Sequence, residues 1–127
     1  GLKLAYHNHD FEFETRDGQL PYDVLLQDVD ADLMAMEMDL YWMAKAKQDP
    51  LAYFKRHPGR FKLWHIKDMD KQGAFADVGT GVIDFATIFA HAQQAGVEHK
   101  VVERDMTDNL VKTIQQGYQA VSALSKA

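Results

Sequence analysis

Four short apolar runs divide this sequence, and each one ends on or beside a histidine or an acidic residue. The runs lie at residues 2–7, 33–39, 61–66 and 99–103. Each has the length and apolar composition of a strand, and the third follows the turn-forming pair Pro58-Gly59. Segments with helical features separate the runs. Such alternation predicts a parallel sheet with right-handed crossovers, in which the carboxyl ends of all strands lie at one edge.

The helical segments carry recognisable start signals. Pro21 suits the first turn of a helix, and Asp49 precedes a proline at the first helical position of the next. Asp84 is predicted to cap a third helix, and either Thr107 or Asp108 to cap the last one. The last helix carries an apolar stripe at residues 110, 114, 118, 121 and 124. Residues 11–15 alternate apolar and polar side chains, which predicts a small hairpin arm closed at residues 16–18.

Four strand–helix units correspond to half of an eight-unit barrel, which typically takes about 250 residues. The predicted fold is therefore α/β, a parallel (βα)4 half of a TIM (β/α)8 barrel, in a single domain that covers residues 1–127. The apolar fraction of 46% is sufficient for a core. Because the chain opens on Gly1 and enters a strand at once, we expect it to be part of a longer protein.

Composition excludes several classes of function. A net charge of −5 argues against a nucleic-acid partner and against a polybasic membrane patch. No apolar run reaches the roughly 18 residues of a membrane helix. The sequence has no cysteine, which excludes disulfides and zinc–thiolate sites and fits a cytoplasmic protein. Six histidines and 19 acidic residues leave nitrogen and oxygen atoms as the available metal ligands.

The strand ends together predict a metal centre. The candidate ligands are His7, Asp39, His65 and Glu103. Each has an ordinary alternative when taken singly, since a lone histidine is often only hydrogen-bonded and Glu103 could pair with Arg104 or Lys67. In a parallel sheet, however, the four side chains would converge on one pocket. Two imidazoles and two carboxylates suit one divalent ion, namely Mn²⁺, Zn²⁺, Co²⁺ or Mg²⁺.

Five segments resemble, in order, the C-terminal half of the xylose isomerase-like TIM-barrel family. They are residues 6–13 (YHNHDFEF), 38–42 (MDLYW), 65–68 (HIKD), 78–85 (VGTGVIDF) and 102–105 (VERD). The family includes sugar isomerases and epimerases, inosose dehydratase and, more distantly, endonuclease IV. The resemblance implies strands five to eight of the barrel, with metal ligands at Asp39, His65 and Glu103. The family's first ligand is usually a glutamate, and its place here falls to His7 or His9.

This resemblance implies a divalent-metal-dependent sugar isomerase or epimerase that acts on a keto-sugar or keto-polyol through an enediolate. One alternative is an inosose dehydratase-like lyase, to which the Tyr-His-Asn-His segment is closer. Another is an inactive half-barrel that dimerises or only binds metal or sugar. The implied partners are a small-molecule sugar or keto-polyol, and either a second copy of the chain or the missing N-terminal half.

Six residues are implied in catalysis or substrate binding. The catalytic candidates are Glu103, His7 and Lys67, and the substrate-binding candidates are His9, Trp42 and Glu12. Glu103 would transfer protons as well as bind the ion. Lys67 would either neutralise a developing oxyanion or pair with Asp39. Trp42 would either stack on the apolar face of a sugar or belong to the core.

Overall fold

Strands and helices alternate along the chain in the predicted order. The computed structural model describes residues 1–125. Their elements are β1 (Leu4–His7), a 3₁₀ helix (Phe11–Phe13), α1 (Pro21–Asp28), β2 (Met34–Asp39), α2 (Leu40–Lys45), α3 (Pro50–Arg56), β3 (Leu63–Ile66), β4 (Asp68–Met69), β5 (Phe75–Ala76), α4 (Phe85–Ala90), α5 (Ala92–Ala95), β6 (His99–Val102) and α6 (Leu110–Leu124). One sheet contains four parallel strands in the order β1-β2-β3-β6. The predicted α/β fold with a parallel sheet is confirmed.

Parallel pairing brings the carboxyl ends of these four strands to one edge. His7 lies opposite Glu37 in the β1–β2 register, and Asp39 lies opposite His65 in the β2–β3 register. Glu103 follows β6 directly, and its amide is hydrogen-bonded to the end of β3. Because side chains alternate across a strand, Glu37 and Asp39 emerge on the same face of β2.

The core lies on the face of the sheet that the helices cover. Met36 and Met38 of β2 and Trp64 of β3 are fully buried there. The ring of Phe54 from α3 stacks on Trp64, with centroids 5.3 Å apart. On the opposite face of the same strands Ala35, Glu37, Leu63 and His65 are only partly buried, and Asp39 is the exception at 0% exposed. The sheet therefore separates an apolar helix-facing layer from a polar face.

Three of the predicted helix starts are confirmed, and the last one is wrong by one or two residues. Pro21 is the first residue of α1. Asp49 and Asp84 each accept a backbone N–H from the first turn of their helix. Helix α6 begins differently, because Asn109, rather than Thr107 or Asp108, accepts such a bond at 3.0 Å. The hydroxyl of Thr107 is instead hydrogen-bonded to the hydroxyl of Thr113 in α6.

Two connecting segments differ from the predicted local structure. Residues 11–15 do not form an extended arm, because the buried side chains of Glu12 and Phe13 hold a 3₁₀ helix. Only Arg16 and Gln19 form an antiparallel bridge there. The loop after β3 contains a short antiparallel sheet of β4 and β5. Strands of two residues are too short to leave a recognisable pattern in the sequence.

Much of the apolar stripe of α6 is exposed. Leu110, Ile114 and Tyr118 are 70%, 67% and 72% exposed, whereas Gly117, at the border of the stripe, is buried against β6. A Cβ atom on Gly117 would lie 2.6 Å from Val102, so glycine allows the helix to approach β6 closely. The stripe therefore forms an apolar surface. Within the described residues, neither α6 nor any other helix has the length and apolar character needed to span a membrane.

Candidate metal centre

The four predicted ligands meet at the carboxyl edge of the sheet. One ligand atom from each of His7, Asp39, His65 and Glu103 lies within 4.8 Å of all the others. His7 Nε2 is 3.1 Å from Asp39 Oδ2, and His65 Nδ1 is 2.7 Å from Glu103 Oε2. Ligand atoms bound about 2.0–2.2 Å from one ion are typically separated by about 3–4 Å, so this arrangement fits a single divalent cation.

The two oxygens of Asp39 have different partners. Oδ1 caps α2 by accepting the backbone N–H groups of Tyr41 and Trp42 at 2.9 and 3.1 Å. Oδ2 faces His7 and Lys67. Burial opposes ionisation, but hydrogen bonds from both histidines and from the helix amide hold the pKa of Asp39 well below its ordinary value. One oxygen of this buried carboxylate is thus structural, and the other is available to the site.

His65 bridges carboxylates from two strands. Its Nδ1 atom faces Glu103, and its Nε2 atom lies 2.7 Å from Glu37 Oε1. Asp39 first, and then Glu103 and Glu37, raise the pKa of His65 to about 9 against the effect of burial. Sequence reasoning missed Glu37, because it interrupts an apolar run. Its position two residues before Asp39 was the available signal.

Lys67 is buried among the carboxylates. Its Nζ atom lies 2.8 Å from Glu103 Oε2, 3.1 Å from Asp105 Oδ2 and 3.3 Å from Asp39 Oδ2. Burial would lower the pKa of Lys67, but these acidic neighbours raise it above the ordinary value. The same lysine and His65 lower the pKa of Glu103, again against the effect of burial. The predicted pairing of Lys67 with Asp39 is therefore present in the structure, and so is its pairing with Glu103.

The predicted substrate-binding residues fall into two groups. The ring of His9 lies beside the ligand cluster, 4.9 Å from the ring of His7 and 5.3 Å from that of Trp42. The indole N–H of Trp42 is buried and has no hydrogen-bond partner among residues 1–125. Glu12, in contrast, is 2% exposed and uses one oxygen for the hydroxyl of Tyr6 and the other for the amide of His9. Glu12 thus supports the loop that carries His9.

Asn8 fixes the end of β1 to the end of β2. Its side chain is fully buried, and Oδ1 accepts the backbone N–H of Asp39 at 3.0 Å. The flanking histidines then occupy different places, with His7 in the ligand cluster and His9 beside it. Sequence reasoning treated Asn8 only as part of a polar turn, since a contact over such a distance in sequence has no local signal.

A second buried aspartate organises the loop after β3. Asp68 is 1% exposed and accepts four backbone N–H groups. Met69 and Ile83 donate to Oδ1 at 2.8 and 3.3 Å, while Gly79 and Gly81 donate to Oδ2 at 3.0 and 2.9 Å. A Cβ atom on Gly81 would lie 2.3 Å from Asp68 Oδ1, so only glycine fits there without displacement. This role of Asp68 was also missed.

Comparison with known proteins supports the resemblance seen in the sequence. No protein-family model matches the chain. Two proteins named inosose dehydratase, from Lacticaseibacillus casei and its strain BL23, are each 25% identical to it over 120 residues. The match covers 80% of this chain but only 40% and 39% of those proteins.

Two solved structures from Parabacteroides distasonis ATCC 8503, both described as sugar phosphate isomerase/epimerases, share the fold. The first has a TM-score of 0.78 and 28% identity, and the second has 0.73 and 30%. The chain resembles sugar phosphate isomerase/epimerases and inosose dehydratases. This confirms the predicted similarity to xylose isomerase-like TIM barrels. The matches cover 100% and 97% of this chain but only 46% and 45% of the solved chains, consistent with a half-barrel.

Proposed function

We propose that this chain carries the metal centre of a sugar isomerase or epimerase that acts on a keto-sugar or keto-polyol through an enediolate. In this proposal β1, β2, β3 and β6 are strands five to eight of a TIM barrel. The main support is the convergence of His7, Asp39, His65 and Glu103 at the carboxyl edge of the sheet. That edge is where TIM-barrel enzymes place their chemistry.

The side chains present fit a divalent ion. The cluster offers two imidazole nitrogens and two carboxylate oxygens, which suits Mn²⁺, Zn²⁺, Co²⁺ or Mg²⁺. Lys67 contacts three carboxylates, those of Asp39, Glu103 and Asp105, while the carboxylate of Glu37 is paired with His65. A divalent cation would offset the negative charge of these carboxylates that Lys67 and His65 do not balance. When bound, the ion would polarise the substrate carbonyl and stabilise the charge of the enediolate.

Glu103 is the proposed acid–base residue as well as a ligand. Glu103 is ionised at neutral pH, as a residue that removes a proton next to a carbonyl must be, although its lowered pKa makes it a weaker base than an ordinary glutamate. His7, whose side chain is 26% exposed, is the second candidate for proton transfer. Lys67 stabilises the carboxylates and a developing oxyanion. His9 and Trp42 offer ring surfaces on which the apolar face of a sugar can stack.

An inosose dehydratase-like lyase is a second candidate. Two observations favour it, namely the names of the curated relatives and the presence of His7 where the epimerases usually have a glutamate. The early chemistry would be shared, because both reactions remove a proton next to a carbonyl. Loss of a neighbouring hydroxyl gives dehydration, whereas reprotonation gives isomerisation or epimerisation. An inactive half-barrel that only binds metal or sugar would do neither.

The metal proposal is tested by titration of the metal-free chain with Mn²⁺, monitored by electron paramagnetic resonance. We expect one tightly bound ion per chain, and weaker binding by about 100-fold or more in His65→Ala and Glu103→Ala. The control is His99→Ala, which removes an exposed histidine from the other end of β6. Unchanged binding in both ligand variants would refute the site.

The reaction proposal needs a separate assay. Keto-sugars and inosose are incubated in D₂O with the Mn²⁺-loaded chain, and proton exchange and products are followed by NMR. Exchange with formation of an isomer or epimer supports the first candidate. Loss of water supports the dehydratase. Metal binding without exchange on any of these compounds supports a half-barrel that has no activity by itself.

We also propose that the exposed apolar surface of the half-barrel is covered in the working protein, by a second copy or by the other half of a barrel. Strand β1 pairs only with β2, and β6 only with β3, among the described strands. The exposed stripe of α6 lies next to the free edge of β6. Light scattering after size exclusion distinguishes the occupants, because a dimer supports the second copy and a monomer rules it out.

A further inference from the structure

Glu37 places a carboxylate in the middle of β2 and is not one of the four proposed ligands. Its side chain is 21% exposed, and its Oε1 atom lies 2.7 Å from His65 Nε2. A carboxylate on this partly buried face of the sheet costs free energy unless it has a partner. The contact with His65 supplies that partner, and it joins Glu37 to the metal centre through a ligand.

The two ring nitrogens of His65 face different groups. Nδ1 lies 2.7 Å from Glu103 Oε2 and 3.7 Å from Asp39 Oδ2, whereas Nε2 faces Glu37. The strand register explains this arrangement, because Asp39 lies opposite His65 and Glu37 precedes Asp39 by two residues on the same face of β2. A cation shared with Asp39 and Glu103 would therefore meet Nδ1 of the imidazole.

His7 presents the other ring nitrogen to the same carboxylate. Its Nε2 atom lies 3.1 Å from Asp39 Oδ2, and its ring centroid is 4.4 Å from that of His65. A neutral imidazole carries its proton on one nitrogen and its available lone pair on the other. His65 can thus bind a cation through Nδ1 only when its proton is on Nε2, which is the nitrogen that Glu37 contacts.

We propose that Glu37 is a positioning residue of the metal centre, which accepts the Nε2–H group of His65 and so holds the imidazole in the tautomer and orientation that bind the cation through Nδ1. The inference rests on the proposed metal centre and adds to it the ligand atom and a residue that does not touch the ion. A carboxylate that accepts the second N–H group of a ligating histidine also makes the ligand nitrogen more basic.

The ligand atom is tested by NMR of the chain labelled with ¹⁵N in its histidines and loaded with Zn²⁺, a diamagnetic ion. Long-range ¹H–¹⁵N spectra distinguish a metal-bound ring nitrogen from a protonated one. We expect His65 to bind through Nδ1 and to carry its proton on Nε2. His7 is the internal comparison and should bind through Nε2. Binding of His65 through Nε2 would overturn the inference.

Glu37→Ala and Glu37→Gln form a matched pair, because both remove the charge but only glutamine keeps an oxygen that can accept the Nε2–H group. We expect the affinity for Zn²⁺ to fall by about 10–100-fold in Glu37→Ala and to recover much of that loss in Glu37→Gln. Equal weakening in both variants would assign the effect to charge alone and refute the positioning role. Unchanged affinity in Glu37→Ala would refute it as well.

These measurements need no turnover, so they separate this inference from the proposed reaction. Zn²⁺ bound by His65 through the wrong nitrogen overturns the role of Glu37 and leaves the metal centre intact. A chain in which His65 binds no Zn²⁺ refutes both. If either Glu37 variant does not fold, the spectrum of the wild-type chain decides which nitrogen binds.

Discussion

Asp39, at the end of β2, and Asp68, two residues after β3, are both buried aspartates, but they have different kinds of partner. Their exposed fractions are 0% and 1%. Asp68 accepts backbone N–H groups alone, two on each oxygen. Asp39 accepts backbone N–H groups on Oδ1 only, while Oδ2 faces His7 and Lys67. Burial by itself therefore does not separate a structural carboxylate from one that serves a site.

The difference lies in what the donors can do. A backbone N–H cannot give up its proton and is fixed by the fold, so a carboxylate held by such donors is part of the loop. An imidazole can lose its proton and then bind a cation through the same nitrogen. A buried carboxylate with one oxygen directed at such side chains can therefore exchange a proton-bearing partner for a metal ion, as proposed for Asp39.

Removal of Asp68 should have the largest effect on stability. In Asp68→Ala four backbone N–H groups lose their acceptor, and we expect the free energy of unfolding to fall by about 3–5 kcal/mol. Urea unfolding followed by circular dichroism measures this change. The control Asp70→Ala removes a partly exposed acceptor of two turn amides and should cost about 1 kcal/mol. Equal losses in the two variants would contradict the structural role assigned to Asp68.

Asp39→Asn should reduce metal affinity more than it reduces stability. The amide oxygen can still accept the N–H groups at the start of α2, so we expect a smaller loss of stability in the metal-free chain than in Asp68→Asn. Affinity for Mn²⁺ should fall by about 100-fold, because a charged ligand is lost. Calorimetric titration of both variants makes the comparison. Equal weakening of metal binding in Asp68→Asn would remove the distinction between the two carboxylates.

Gly81→Ala tests how tightly the loop closes on Asp68. The added Cβ would lie 2.3 Å from both Asp68 Oδ1 and the carbonyl oxygen of Met69. We expect the free energy of unfolding to fall by about 1–3 kcal/mol, with metal affinity unchanged. Thr80→Ala, at the exposed neighbouring position, is the control and should be milder. A fully stable Gly81→Ala variant would show that the loop does not enclose Asp68.

A third aspartate, Asp77, should give the smallest effect and a defined dependence on pH. The hydroxyl of Thr113 first, and then Arg104, lower the pKa of Asp77 below its ordinary value of 3.8, against the effect of burial. Its contribution to stability is therefore present above that value and is lost as the pH falls through the lower, folded-state pKa. We expect Asp77→Asn to reduce stability at pH 6 by about 1 kcal/mol or less and to match wild type in strong acid. A difference that persists at low pH would assign the effect to packing.

The sequence was sufficient to predict the features that depend on local pattern. Apolar runs identified the strands, and parallel alternation then brought Asp39, His65 and Glu103 together. Partners that meet only through tertiary contacts were missed, as with Asn8 on the amide of Asp39 and Gly81 on the carboxylate of Asp68. A carboxylate after a strand is the same signal in both cases, so the sequence could not distinguish the two roles.

The register of the sheet has a further consequence for the ligand cluster. Since side chains alternate along a strand, a slip of one residue in β2 would turn Asp39 toward the helices and present Met38 to the imidazoles. Only one alignment of the strands thus creates the proposed cation site. The proposed divalent ion, if present during folding, would therefore favour that alignment over its competitors and would stabilise the correct strand pairing.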